Sequence, residues 1–314
     1  DHIEKFVYSG PHYSCNEPFY KCPTELCEKK SDYDIINNST EIKPNRNYWP
    51  RTIFQTKKVD SLKSYFGSNY DSKYRVLLNS QLSLPRERTF QSIIIPPKTT
   101  HLGTSISLTF IDQLKMIEFV GFTNSLPFDF MIKSLGKGSV YANDIRRFSF
   151  LDFKMKKELV NRVLLNYLTS KYYNNLIKQE WIGEIHLSRS GQKLPEVLNK
   201  EDLITGDINL TRYLERQINI EIDVIVSIEM GLTLNQLLDA YKIMFPVLQQ
   251  NEEDTWYDQK GNIVFTCSKG LTGIGVDRPV WNSIKELKDG ETYEHTIEKS
   301  ELYYGEKVTY YAPF

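Results

Sequence analysis

LPRERTFQSIIIPPKTTHLGTSISLTF, residues Leu84 to Phe110, is the stretch from which the rest of the chain is read. Arg86 and Arg88 lead into three consecutive isoleucines, Ile93 to Ile95. Pro96-Pro97 and a polar turn holding His101 follow, and then Ser105 to Phe110 alternates polar and apolar side chains. β-Branched residues suit the pleat of a strand, and prolines have no N–H to give to a ladder. The pattern predicts strand, rigid turn and strand: a hairpin that presents Lys98, Thr99, Thr100 and His101 at a sheet edge.

Working outward, Tyr74 to Leu82 (YRVLLNSQL) reads as a buried strand or short helix leading into that hairpin. Beyond Phe110 the apolar positions, Leu114, Ile117 and on to Phe122, take helical spacing. Pro127 interrupts it. Ser125 is placed to cap a second helix with Pro127 in its first turn, and Gly136 to end it. This helix delivers Lys133 and Lys137 to its C-terminal end, where cations suit the dipole. Arg146-Arg147 then opens an expected strand, Phe148-Ser149-Phe150.

Further along, Lys157 to Lys178 places Val160, Leu164, Leu168, Tyr172 and Leu176 at i, i+4 steps, which predicts one long helix. Ile218 to Val224 (INIEIDV) alternates strictly and, with the apolar run to Ile228, predicts a strand. Thr233 and Gln236 have the spacing of a capping box for a helix that Pro246 stops. Hairpins are expected over Thr255 to Thr266 and over Glu301 to Tyr311, the second turning at Gly305. Between them, Ser268 to Val276, with Gly270, Gly273 and Gly275, reads as a loop of close backbone approach. The fold class expected is α+β, with mixed or antiparallel sheets and several packed helices. Its expected divisions are a lobe with the central hairpin and a basic segment over 1–155, a helical spacer with a strand over 156–250, and a hairpin-rich segment over 251–314.

With 314 residues, 40% hydrophobic and 25% charged, the chain can bury a sizeable core. No apolar run approaches the length of a membrane span, and no charged-then-apolar leader opens the sequence. Because it starts Asp1-His2, without Met, we read it as a piece of a longer protein. The net charge is −1, so any nucleic-acid contact must come from a local basic patch. Such a patch exists: Lys133 to Lys157 holds seven bases against two acids, whereas residues 251–314 hold twelve acids against seven bases.

Catalytic signatures are missing from the sequence. Gly136-Lys137-Gly138-Ser139 lacks the spacing of a phosphate loop, no GxSxG elbow is present, and no magnesium-holding cluster of acids and lysine stands out. Four cysteines without a leader suit a reducing cytoplasm. His12, Cys15, Cys22 and Cys27 form the one conceivable zinc set, but they lack the short CxxC spacing of a structural site, and we expect no metal.

Recognition is therefore the expected role, and a resemblance points the same way. ERTFQSIIIPPKTTHLGTS, residues 87–105, is similar to the ERTLIxAIIPPGxxH segment of large adenine-specific DNA methyltransferases of the type IIG and related phage-defence kind. Three further stretches fit that pattern: Ser9 to His12 with Asn16 to Lys21, Tyr48 to Thr52, and Phe245 to Val276. NEPFY, Asn16 to Tyr20, resembles the NPPY catalytic motif of that family, but Glu17 stands in place of the first proline and no glycine-rich cofactor loop precedes it. The resemblance implies the region that recognises the target in double-stranded DNA. A separate N-terminal domain would then bind S-adenosylmethionine and methylate a flipped adenine; this chain would hold no cofactor and catalyse nothing. The candidate DNA contacts are Arg86, Arg88, His101, Lys133, Lys137, Arg146, Arg147, Arg189 and Lys193, since arginine can fork onto guanine and both cations can neutralise phosphates. Either Arg86 or Arg88 could instead be a buried brace paired with a carboxylate. The rival reading is a protein-docking or scaffold region of a defence complex, favoured by the acidic C-terminal segment.

Overall fold

Ile93, Ile94 and Ile95 are wholly buried, and so are Val76 and Leu77. Strands this apolar need packed cover on their faces, and in the computed structural model helix Gln113–Thr123 packs against both of them. The structure describes residues 7–8, 10–24, 26, 32–35, 72–168, 170–187, 197–198, 203 and 210–314. Strands are numbered in chain order: β1 Val7–Tyr8, β2 Lys21–Pro23, β3 Tyr33–Ile35, β4 Arg75–Asn79, β5 Ser92–Ile95, β6 Thr100–His101 and β7 Ser105–Leu108, then β8 Ile185–His186, β9 Val197–Leu198, β10 Trp256–Tyr257, β11 Ile263–Phe265, β12 Thr292–Thr296 and β13 Lys307–Tyr311. The helices are α1 Gln113–Thr123, α2 Leu126–Ser134, α3 Ala142–Ile145, α4 Lys156–Leu165, α5 Asn174–Glu180, α6 Arg212–Glu229, α7 Leu234–Met244, α8 Pro246–Glu253 and α9 Arg278–Ile284. The class is mixed α+β.

The central sheet runs β5-β4-β7, with β4 antiparallel to both neighbours. This corrects the expected hairpin. β5 and β7 do not pair; β4 stands between them, matching Leu77 with Ile93 on one side and with Ser107 on the other. The turn is not presented at an edge either. Thr99 and Thr100 are buried, and β6 pairs in parallel with β1. The outer edge of β5 is sealed by hydroxyls: Tyr167 accepts from the Ile94 amide at 2.8 Å and Tyr173 donates to the Ile94 carbonyl at 2.7 Å. An edge satisfied in this way offers no template to another strand.

Local signals held where their partners are local. Ser125 caps α2 by accepting from the Phe128 amide, Pro127 sits in the first turn, and Gly136 follows with φ +61°. Thr233 and Gln236 form the capping box of α7. β10 and β11 make the expected hairpin, with Gly261 at φ +83°. The glycines of the close-approach loop are needed for contact: a Cβ on Gly270 would lie 3.0 Å from the Tyr20 hydroxyl, and one on Gly275 would lie 2.4 Å from the Val264 carbonyl oxygen.

Four other expectations are corrected. Residues 218–228 belong to helix α6, because Ile218, Ile222, Ile225 and Val226 also lie at helical spacing and all four are buried. Alternation alone could not separate the two periods. The helix expected over 157–178 is broken: α4 ends at Leu165, Ser170 caps a 3₁₀ turn, and α5 begins at Asn174. Residues 148–150 form no strand. In the tail, β13 pairs with β12 at 292–296, ahead of the expected first arm, although Gly305 does take positive φ.

α1 crosses α4 at Gly121, where a Cβ would meet Leu159 at 2.7 Å and Val163 at 2.8 Å; α4 in turn packs on α6. The main apolar cluster runs from Tyr8 to Val226. A second one gathers Val264, Phe265, Val276, Trp281, Ile284 and Tyr310 near the C-terminus. Asp34 ties that part to β3 by accepting from Ser300 Oγ and from the Glu301 and Leu302 amides. No helix among the described residues is long and apolar enough to cross a membrane.

Candidate nucleic-acid interface

Two loops meet at one end of the central sheet. The first follows β4 (residues 80–91) and carries Arg86 and Arg88; the second follows α2 (residues 135–147) and carries Lys137, Arg146 and Arg147. They are laced together by the Leu82 amide donating to the Gly138 carbonyl at 3.0 Å and the Val140 amide donating to the Ser80 carbonyl at 2.8 Å.

Within the first loop the charged side chains divide. Arg88 makes a fork onto Asp223 of α6, at 3.2 and 2.6 Å. Burial opposes its charge, but the adjacent Asp223 carboxylate more than offsets that and raises its pKa. Arg88 is thus the brace, with Asp223 as the carboxylate. Glu87 accepts from Asn251 and, at 3.2 Å, from Ser268. Arg86 is exposed, and its guanidinium makes no ion pair among the described residues. It lies near half-buried Lys21, whose pKa is lowered first by burial and then by the Arg86 charge.

Lys133, expected at an exposed helix end, is only 8% exposed. Its ammonium donates to the carbonyls of Leu84 at 2.9 Å and Arg86 at 3.3 Å, and it lies 5.0 Å from the Phe245 ring centre. Burial lowers its pKa. The correction is physical: a cation with two carbonyl acceptors and an aromatic face is placed to hold the loop, with little of it left for a ligand. His101 is half-buried, with Nδ1 at 3.0 Å from the Leu102 carbonyl and Nε2 at 3.1 Å from Ser107 Oγ. Burial lowers its pKa, so the ring is neutral at pH 7 and adds no positive charge to the surface.

In the second loop Lys137 pairs with Asp144 at 2.6 Å while remaining half exposed. Arg146 and Arg147 are exposed and make no ion pair among the described residues. Arg189 and Lys193 lie outside the described residues. Of the cations named from sequence, Arg86, Lys137, Arg146 and Arg147 lie exposed on the two laced loops, while Arg88, Lys133 and His101 are engaged inside the fold.

NEPFY takes a defined place. Asn16 is buried at φ +59°. It donates to Asn219 Oδ1 at 3.2 Å and accepts from Asn124 Nδ2 at 2.7 Å, and Asn124 also bonds both backbone groups of Ser92. This asparagine junction between β5, α1 and α6 was missed from sequence, because its members are 108 and 203 residues from Asn16. Arg212 pairs with Glu17 at 2.9 Å and with Glu215 at 3.1 Å. Among the described residues no group of three or more His, Cys, Asp or Glu side chains is placed to hold a metal, and Cys27 lies outside them.

Compared with protein families, curated proteins and solved structures, the chain finds no match in any of the three.

Proposed function

We propose that this chain grips double-stranded DNA and reads a short sequence, as the target-recognition part of an adenine-specific DNA modification methyltransferase. The observation that carries the reading is the exposed cation set on the two laced loops: Arg86, Arg146 and Arg147, without ion-pair partners among the described residues, and Lys137 beside them. Phosphate contacts from such groups supply affinity, and a forked arginine can add base reading. Methylation would fall to a separate domain that binds S-adenosylmethionine, with this chain itself catalysing nothing. A cytoplasmic location goes with that role.

The test is fluorescence anisotropy of the chain with a labelled random-sequence duplex from 50 to 200 mM salt. The expected result is binding that weakens steeply with salt, and salt-independent or absent binding would end the reading. One observation favours docking onto a protein instead: Ile220, Val224 and Ile228, spaced i, i+4 along α6, are 37, 40 and 55% exposed. An apolar stripe of that kind suits a partner helix or subunit.

A further inference from the structure

Resting on the DNA reading above, we infer that Arg86 is the residue that reads a base, forking onto O6 and N7 of a guanine in the major groove, and that Lys133 is the positioning residue that aims it. An arginine discriminates between bases only when its backbone is fixed, because the planar fork gains specificity from its angle. Residues 84–90 are held with unusual completeness. Lys133 takes the carbonyls on either side of Pro85-Arg86, at 2.9 and 3.3 Å. Glu87 is anchored to Asn251 and Ser268, and Arg88 to Asp223. The Thr89 and Phe90 amides both donate to Asp129, at 2.9 and 2.7 Å. Within the stretch Glu87 and Arg88 are both spent on holding it, and of its charged side chains Arg86 alone stays exposed with no ion pair among the described residues.

Arg146 and Arg147 differ. They follow α3, a single turn, in a loop where the ion pair of Lys137 with Asp144 is on the surface. Cations on such a loop suit phosphate contacts, which tolerate a range of angles. The structure therefore divides the labour: specificity on the clamped loop, affinity on the other.

The experiment selects bound sequences from a randomised duplex library with the whole chain, and compares wild type, Arg86→Ala, Arg86→Lys, Lys133→Met and the Arg146→Ala/Arg147→Ala double variant. Wild type should enrich a motif containing at least one guanine. Arg86→Ala should make that single position degenerate, with roughly a 10- to 100-fold loss on the selected site. Arg86→Lys keeps the charge but not the fork, so it should relax the same position while preserving the salt slope on random duplex. It touches only an exposed side chain, which keeps the test clear of folding. Lys133→Met should blur the same position, an outcome a purely structural role would not confine to one base. The double variant should lose affinity evenly over all sequences. If wild type enriches a motif that Arg86→Ala and Arg86→Lys retain in full, the base-reading inference is overturned while the DNA reading stands. Absence of any salt-dependent duplex binding by wild type overturns both.

Discussion

Residues 84–90 and 137–147 are both short stretches rich in charge, and from sequence both supply candidate contacts, with a buried brace expected as the alternative at Arg86 or Arg88. In the first, Glu87 and Arg88 find partners more than a hundred residues away. In the second, the one ion pair among the described residues joins Lys137 and Asp144, seven apart. Long-range partners make a charge part of the architecture, whereas a local pair on the surface adds little to stability. The difference teaches where to look for ligand contacts: among cations left over after the long-range bonds are assigned.

The sharpest way to break that contrast is Asp223→Ala. It strands the Arg88 guanidinium and removes the acceptor of the Leu126 amide, which Asp223 binds at 2.6 Å. Losing one partner of a buried pair costs about 3–5 kcal/mol, to be read from urea unfolding. Asp144→Ala, which frees Lys137 and the Tyr141 amide at the exposed start of α3, should lower the unfolding midpoint far less. Equal losses from the two substitutions would erase the distinction.

Acid should act on the clamped side too. His12 is 1% exposed, and its carbonyl accepts from the Tyr20 amide at 2.8 Å, just ahead of Lys21 near Arg86. Burial lowers its pKa from 6.5 to about 4, against a hydrogen bond to the Val7 backbone that raises it. Between those values the unfolded chain binds a proton that the folded one refuses, so stability is lost as pH falls from about 6.5 to about 4. At 1.36 kcal/mol per unit the loss is about 3 kcal/mol. The check is the slope of unfolding free energy against pH, in wild type and in His12→Gln. Parallel slopes would separate His12 from the acid response. Residues 137–147 contain no histidine and should contribute nothing to it.

What was legible in the sequence follows the same division. α2 could be read because Ser125, Pro127 and Gly136 act within a turn or two of themselves, and so could the capping box of Thr233 and Gln236. The partner of β5 could not, since β4 lies upstream of Arg86 and nothing in SIII states which strand will cover it. INIEIDV satisfied two periods at once, and its tertiary partners α4 and α1 decided for the helix. At the candidate site, Arg86, Arg146 and Arg147 could be named from sequence and are exposed, while the choice of Arg88 over Arg86 as the brace waited on α6, and Lys133 looked like any other cation until the Phe245 ring was in place.

Lys133→Met probes the clamp at a smaller scale. Removing the ammonium leaves the Leu84 and Arg86 carbonyls without that donor while Phe245 keeps an apolar neighbour, so the expected cost is about 1–3 kcal/mol. Thermal and urea unfolding measure it. A neutral result would mean that solvent replaces Lys133 and that the loop is not held by it.

The smallest effect on stability, and the one that tests the other loop, belongs to Arg146→Ala with Arg147→Ala. The pair sits between two anchors: Ile145 is buried, and the Phe148 ring meets Phe128 edge-on at 5.2 Å. Those anchors, rather than the strand expected at 148–150, fix where the loop runs. The arginines themselves are exposed and unpaired among the described residues, so removing both should leave the unfolding midpoint where it was. Binding should respond differently. Each phosphate contact contributes a slope of about −0.9 to log K against log salt on B-form DNA, so the double variant should show a slope shallower by about 2 and an even loss over random sequences. An unchanged slope would take the pair off the DNA surface and move the weight to the apolar stripe of α6. A folding defect would instead show that the exposed loop is bound into the architecture as tightly as residues 84–90, and the contrast between the two would fail.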